Sequence, residues 1–202
     1  MIAIINYGVG NLFSLTSSLD YLNIDNIITS DYSQIRRADR LILPGVGAFP
    51  DAYDMLQHFD LVRMICQEAK DGKPILGICL GMQLLFERSY EYGSCPGLGL
   101  IPGEICPLSE DLSGNLKVPH IGWNSLKFTK ENPLLRNNKE GDYVYYVHSY
   151  YAKGCDKSTI ATSEYGVDIT GAVCRGNVYG TQFHPEKSGE AGLNILRAFA
   201  SL

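Results

Sequence analysis

Through the first half of the chain, short apolar runs alternate with segments whose apolar residues recur at helical spacing. Ile2–Asn6 is the first run, followed by a glycine-containing turn at Tyr7–Asn11 and a helical pattern over Leu12–Leu22. Asn26–Thr29 and Arg40–Leu43 read as further buried strands. Asp51–Lys70 is predicted as a helix that Asp71–Gly72 ends, and Pro74–Ile78 as a strand leading into a helix over Leu80–Arg88. Strands that are apolar throughout, interleaved with helices, predict a parallel sheet covered on both faces. The working residues of such a sheet gather at the carboxyl ends of its strands. The loops Pro44–Phe49 and Gly77–Gly81 fall there.

The second half changes character. Gly99–Pro107, Val118–Phe128, Tyr143–Ala152 and Ile169–Gln182 read as strands, with Arg175-Gly176-Asn177 as a hairpin turn. Gly189–Leu202 closes the chain as a helix with apolar positions at Leu193, Leu196 and Phe199. No internal repeat or linker interrupts residues 1–202. One α/β domain is therefore expected, a mixed, mostly parallel sheet flanked by helices with an antiparallel extension.

Composition narrows the function classes. With 45% hydrophobic and 19% charged residues, the chain has the make-up of an ordinary globular protein. A net charge of -5 argues against a general nucleic-acid or anionic-membrane surface. No apolar run approaches the ~20 residues of a membrane span, and Met1–Asn6 lacks the basic leader of a signal peptide. Cys66, Cys79, Cys95, Cys106, Cys155 and Cys174 include no C-x-x-C pair, so neither a disulfide framework nor a zinc site is expected. Reduced thiols and a cytoplasmic location follow. No Gly-x-Gly-x-x-Gly or P-loop pattern offers a phosphate site.

Cys79 stands apart from the other thiols. Pro74-Ile-Leu-Gly-Ile-Cys-Leu-Gly-Met-Gln83 runs an apolar strand into Gly77-x-Cys79-x-Gly81 and then into a helix. That is the cysteine form of a nucleophile elbow, in which flanking glycines permit a turn too tight for a Cβ. A helix N-terminus there favours thiolate, and the Leu80 amide can donate to a developing oxyanion. Gly-x-Cys-x-Gly alone fits a buried cysteine equally well. The strand before it and the helix after it favour chemistry.

A thiolate nucleophile needs a proton donor for the departing amine. His58 lies on a polar helical stretch, and His120 and His148 sit in strand patterns where core histidines occur. His184 precedes Pro185-Glu186, which places a carboxylate within reach of one imidazole nitrogen and leaves the other to face Cys79.

Leu43-Pro-Gly-Val-Gly-Ala-Phe49, Gly77-Ile-Cys-Leu-Gly-Met-Gln-Leu-Leu-Phe86, Val118-Pro-His-Ile-Gly-Trp-Asn124, Val147-His-Ser-Tyr150 and Phe183-His-Pro-Glu-Lys-Ser188 closely resemble segments of the class I (triad) glutamine amidotransferases. Within that family they are most similar to the glutaminase subunits of imidazole glycerol phosphate synthases, over essentially the whole chain. The resemblance implies a flavodoxin-like amidotransferase fold and a Cys79–His184–Glu186 triad. It implies an oxyanion hole from Leu80, Val46 and Gly47, completed by a peptide flip in the loop, and glutamine contacts from Gln83, Glu91, His148, Ser149 and Tyr150. Asn11, Trp123, Asn124, Tyr145 and Lys187 would fall at a partner interface. The implied partner is a (β/α)₈ cyclase/synthase subunit in a heterodimer that receives ammonia, with no metal or organic cofactor. A paralogous glutaminase serving another synthase, such as a surface-sugar amination enzyme, shares every one of these residues. A non-catalytic scaffold and a cysteine hydrolase of other amides are the readings from different classes.

Overall fold

The computed structural model describes residues 1–112 and 116–202. The strands are β1 (Ile2–Ile5), β2 (Asn26–Thr29), β3 (Arg40–Leu43), β4 (Ile75–Ile78), β5 (Arg88–Ser89), β6 (Cys95–Pro96) and β7 (Glu104–Pro107) in the first half. They continue as β8 (His120–Ser125), β9 (Lys127–Phe128), β10 (Tyr143–His148), β11 (Tyr150–Lys153), β12 (Thr159–Glu164), β13 (Asp168–Arg175) and β14 (Val178–Thr181). The α-helices are α1 (Leu12–Tyr21), α2 (Tyr32–Arg37), α3 (Phe49–His58), α4 (Leu61–Lys70), α5 (Leu80–Leu84) and α6 (Gly189–Ala200).

The main sheet has the order β2-β1-β3-β4-β14-β13-β12-β9. Its members from β2 to β14 run parallel, and β13, β12 and β9 add the antiparallel extension. All four residues of β1, β4 and β14 are buried, as continuous apolar strands require when helices cover both faces. Alternate side chains feed two cores. Ala3, Ile5, Leu41, Leu43 and Ile75 pack with α2, α3 and α4. Ile2, Ile4, Ile42, Leu76 and Ile78 pack with α1 and α6.

Three sequence expectations need correction. The helix expected over Asp51–Lys70 is two helices, broken at Asp60, whose φ is 56°. The cause lies in the apolar spacing. Leu56 and Leu61 are buried five positions apart, out of step with a single helical stripe, so the chain must turn to bury both. The helix expected over Leu80–Arg88 ends at Leu84. The carbonyls of Leu84, Leu85, Phe86 and Glu87 accept instead from the amides of Gly97 to Ile101, and Arg88 enters a strand. Finally, Gly99–Pro107, Val118–Phe128 and Tyr143–Ala152 do not simply extend the main sheet. They mostly build two smaller sheets, β10-β8 and β11-β7-β5-β6. Tyr143–Ala152 splits at Ser149 because its burial changes phase. Val144, Tyr146 and His148 alternate inward, but Tyr151 and Ala152 are buried in succession. Gly99–Ile101 covers the end of α5 rather than joining a strand, and β12 and α2 belong to segments for which no element was expected.

The hairpin at Gly176-Asn177 and the strand Arg40–Leu43 fall as the pattern indicated, whereas Asn26–Thr29, expected as a buried strand, is a strand at the edge of the sheet in which Thr29 alone is buried. Among the described residues, no helix is long and apolar enough to cross a membrane.

The crossing of β3, β4 and α5 depends on absent side chains. A Cβ on Gly81 would lie 1.8 Å from the Leu43 carbonyl oxygen, and one on Gly77 would lie 2.5 Å from the Gly81 oxygen. Both obstacles are backbone and cannot be moved by a rotamer change. Gly81→Ala is therefore expected to lower unfolding free energy by about 3 kcal/mol or more. Gly141→Ala, where a Cβ meets nothing within 4 Å and only the positive φ opposes it, should lose about 1 kcal/mol. Equal urea midpoints for the two variants would contradict this account.

Candidate active site

The close glycine crossing places Cys79 between β4 and α5 with φ 54° and ψ -112°. A non-glycine residue at positive φ costs about 1–3 kcal/mol and persists only where its surroundings over-determine it. Here the Cys79 amide donates to the Thr181 carbonyl at 2.7 Å, and the Gln83 amide donates to the Cys79 carbonyl at 3.1 Å. The sulfur is thereby held at the carboxyl end of β4 and lines a cleft of about 340 Å³.

His184 reaches the same cleft from the segment after β14. Its amide donates to the Tyr145 carbonyl at 2.9 Å, and the carbonyl accepts from the Ser188 hydroxyl at 2.6 Å. His184 Nδ1 donates to Glu186 Oε1 at 2.8 Å, with both side chains almost wholly buried. Its Nε2 is buried without a hydrogen-bond partner. Burial pushes the imidazole down, but the Cys79 sulfur and the Glu186 carboxylate outweigh it and raise its pKa to about 9. At neutral pH the ring is held as an imidazolium beside the sulfur, ready to give up a proton.

Every residue expected in the oxyanion hole or at glutamine lines this cleft: Val46, Gly47, Leu80, Gln83, Glu91, His148, Ser149 and Tyr150. Val46 is exposed and Gly47 takes φ 97°, a conformation open to glycine. Beneath the loop, the buried Tyr7 hydroxyl donates to the Pro44 carbonyl at 2.6 Å. Glu91 is half-buried, accepts the Phe49 amide at 2.8 Å and so caps α3. Its carboxyl is pushed up by burial, partly offset by that bond.

The expected interface residues divide. Trp123 is exposed and meets the Tyr145 ring edge-on at 6.0 Å, with Lys187 Nζ 5.9 Å from the same ring. These form one surface cluster, joined to His184 through the Tyr145 carbonyl. Asn11 caps α1 by accepting the Ser14 amide, and Asn124 donates to the Glu164 carbonyl. His58 lies exposed on α3.

One contributor was visible only as part of a motif. Gln182 is fully buried, its Oε1 accepts from Gln83 Nε2 at 3.0 Å, and its Nε2 points at Cys79 Sγ at 3.8 Å. Residues two apart on an extended segment share a face, so Gln182 and His184 both turn to the sulfur. That spacing was the signal that could have found it. Cys79 is the N-cap of α5, a helix of five residues, and Gln182 adds a side-chain donor aimed at the sulfur. The His184 ring, whose pKa the sulfur helps to raise, completes the sulfur's surroundings. Among the described residues, no group of three or more His, Cys, Asp or Glu is placed to hold a metal ion.

The model of the family described as glutamine amidotransferase class-I matches residues 3–201. The chain is 53% identical to the imidazole glycerol phosphate synthase subunit HisH of Bacillus cereus, over 98% of this chain and 93% of that protein. It is 51% identical to the HisH subunit of Bacillus anthracis, over the same shares. Among solved structures, a glutamine amidotransferase superposes with TM-score 0.77 at 16% identity, with both chains fully covered. PurLQS from Thermotoga maritima superposes with TM-score 0.75 at 19% identity, covering 99% of this chain and 97% of that one. At those identities the two structures share the fold.

Two outcomes are expected of the site's electrostatics. Gln182→Leu removes the side-chain donor aimed at the Cys79 sulfur, so alkylation of Cys79 by iodoacetamide at pH 7, mapped by peptide mass, should slow by about tenfold. An unchanged rate would mean the amide does not hold the sulfur. The histidines also shape stability against pH. His184 has a raised folded pKa, so its contribution is complete below its ordinary 6.5 and lost as pH rises through about 9. Burial pushes His120 down to about 4 and His148 down to about 3, so their contribution is lost as pH falls below 6.5. Urea titrations should show a combined maximum near 6.5, and Cys79→Ala should flatten the alkaline arm. Identical alkaline arms would refute the coupling of His184 to the sulfur.

Proposed function

The chain belongs to the class-I glutamine amidotransferase family, and on that premise we propose that it is the glutaminase subunit of an imidazole glycerol phosphate synthase in histidine biosynthesis, releasing ammonia from glutamine for a partner subunit. The observation that carries this reading is Cys79, held at a positive φ in the cleft beside the His184–Glu186 pair. The identity to HisH subunits over nearly the whole chain names the synthase. The same identity favours this reading over the surface-sugar paralogue.

In the proposed cycle, Cys79 thiolate attacks the side-chain amide carbon of glutamine. The Leu80 amide, and the Val46 amide after its peptide rotates, stabilise the tetrahedral oxyanion, an effect worth about 3 kcal/mol for one donor. His184 delivers its proton to the departing ammonia, and Glu186 holds the ring in place. Water activated by His184 then hydrolyses the γ-glutamyl thioester, giving glutamate. Gln83, Glu91, His148, Ser149 and Tyr150 hold the amino-acid end of glutamine, and the site works without a cofactor. Residues 1–202 act as one amidotransferase domain.

Ammonia passes inside a heterodimer with a (β/α)₈ cyclase subunit, since release to water would protonate it. The cluster of Trp123, Tyr145 and Lys187 is the face offered to that partner, with Asn11 and Asn124 at its margin. All six cysteines are free, which suits a cytoplasmic enzyme. Acceptor binding on the partner would favour the rotated Val46 peptide.

Glutamate release should be slow for the chain alone and rise strongly with the partner and its nucleotide acceptor. Cys79→Ala should lower the stimulated rate by at least about a thousandfold. Retention of turnover by Cys79→Ala would end the assignment. Equal rates with and without the partner would end the coupling alone.

A further inference from the structure

Two buried histidines outside the triad form a chain of hydrogen bonds whose direction is fixed. His120 on β8 and His148 on β10 are directly opposed cross-strand partners. His148 Nδ1 lies 2.8 Å from the Tyr150 carbonyl, which can only accept, so the proton sits on Nδ1. In the neutral ring, Nε2 then has no hydrogen and must accept. The group facing it, at 3.0 Å, is His120 Nδ1, which is therefore the second protonated nitrogen. His120 Nε2 in turn faces Asn124 Nδ2 at 3.4 Å. The amide orientation is set independently, because the same nitrogen donates to the Glu164 carbonyl and Oδ1 accepts the Ser125 amide. The His120 ring is also clamped between Tyr165 and Tyr146, with ring centres 4.0 Å and 4.8 Å away.

The inner end of this chain is the wall of the cleft. Val147, His148, Ser149 and Tyr150 all line it, and the Val147 carbonyl is 3.9 Å from Cys79 Sγ. This is where the main chain steps from β10, paired with β8 as far as His148, to β11, paired with β7 from Tyr150, and between the two ladders the Ser149 carbonyl accepts from the Leu108 amide. We propose that His120 is a positioning residue of the glutamine site: it touches neither substrate nor sulfur, but through His148 it fixes the Val147–Tyr150 wall against which the amino-acid end of glutamine lies. The proposal rests on the glutaminase reading above. Without His120, the buried His148 Nε2 would lose its donor, and the ring would have reason to turn away. The bond between His184 and Glu186 stands apart from this chain. The chain meets the sulfur's surroundings at the Tyr150 carbonyl, which accepts from both His148 Nδ1 and Gln83 Nε2, and Gln83 keeps a second bond to Gln182. The effect should therefore fall on substrate binding.

The test compares His120→Leu and His120→Asn with the unaltered chain, each in complex with the synthase subunit and its acceptor. An asparagine amide can stand where the Nδ1–H of histidine stood and restore the donor. His120→Leu should raise KM for glutamine by about tenfold with kcat changed by less than about twofold, and His120→Asn should recover most of that loss. Wild-type KM in both variants, or equal impairment in both, overturns the role and leaves the triad reading intact. An unaltered complex with no glutaminase activity removes the reading underneath and the proposal with it. A measurement on the unaltered protein covers the case in which a variant fails to fold. Spectra of ¹⁵N-labelled histidine at neutral pH should show both His120 and His148 as the neutral Nδ1–H tautomer. An Nε2–H form of either ring overturns the chain of donors.

Discussion

The contact on which the rest of this molecule depends is backbone against backbone. Gly45, Gly77 and Gly81 bring the loop after β3, the end of β4 and the first turn of α5 so close that a Cβ on any of them would overlap its neighbours. This approach compresses the strand-to-helix turn until its central residue, Cys79, must adopt a positive φ. The strain is sustained by the surrounding sheet, where Cys79 pairs through its amide with β14. The consequence is positional. A thiol that would otherwise be buried between strand and helix is lifted to the floor of a cleft, next to the segment that carries His184.

The second constraint is polar burial. The cleft is lined by groups that would be costly to bury unpaired, and nearly all are arranged so that each partner dictates the state of the next. Gln83 fixes the amide of Gln182, which then turns its nitrogen to the sulfur. Glu186 fixes the imidazole of His184 and leaves its buried Nε2 without a hydrogen-bond partner, in the cleft that the sulfur also lines. An N–H so placed suits the proton donor of the proposed cycle. The two neutral histidines beside the cleft show the opposite use of the same residue type. Burial keeps them uncharged, and their hydrogen bonds serve geometry.

Much of this was legible in the sequence, and what was not had physical causes. Ile2–Asn6, Arg40–Leu43 and Pro74–Ile78 announced the parallel sheet because strands covered on both faces are largely apolar. Gly77-x-Cys79-x-Gly81 and His184-Pro-Glu186 declared the site because tight turns and oriented imidazoles demand those residue types at that spacing. The break at Asp60 was visible in the Leu56-to-Leu61 spacing, but it is easily lost in a long run of helix-forming residues. The early end of α5 was not legible. It depends on a distant loop, Gly97–Ile101, that captures carbonyls a longer helix would have used. The split at Ser149, the roles of Gln182 and His120, and the division of the second half into two small sheets likewise arise from long-range pairing. Local pattern carries no record of that pairing.

The central claim is that Cys79 is the nucleophile and forms a covalent bond to substrate. The complex, mixed with glutamine and its acceptor and quenched in acid within the steady state, can be mapped by peptide mass spectrometry. A γ-glutamyl adduct on the peptide carrying Cys79, labile to hydroxylamine and absent from the peptides of the other five cysteines, is the expected result. Glutamate formation with no adduct on Cys79, or an adduct on a different cysteine, would contradict the account.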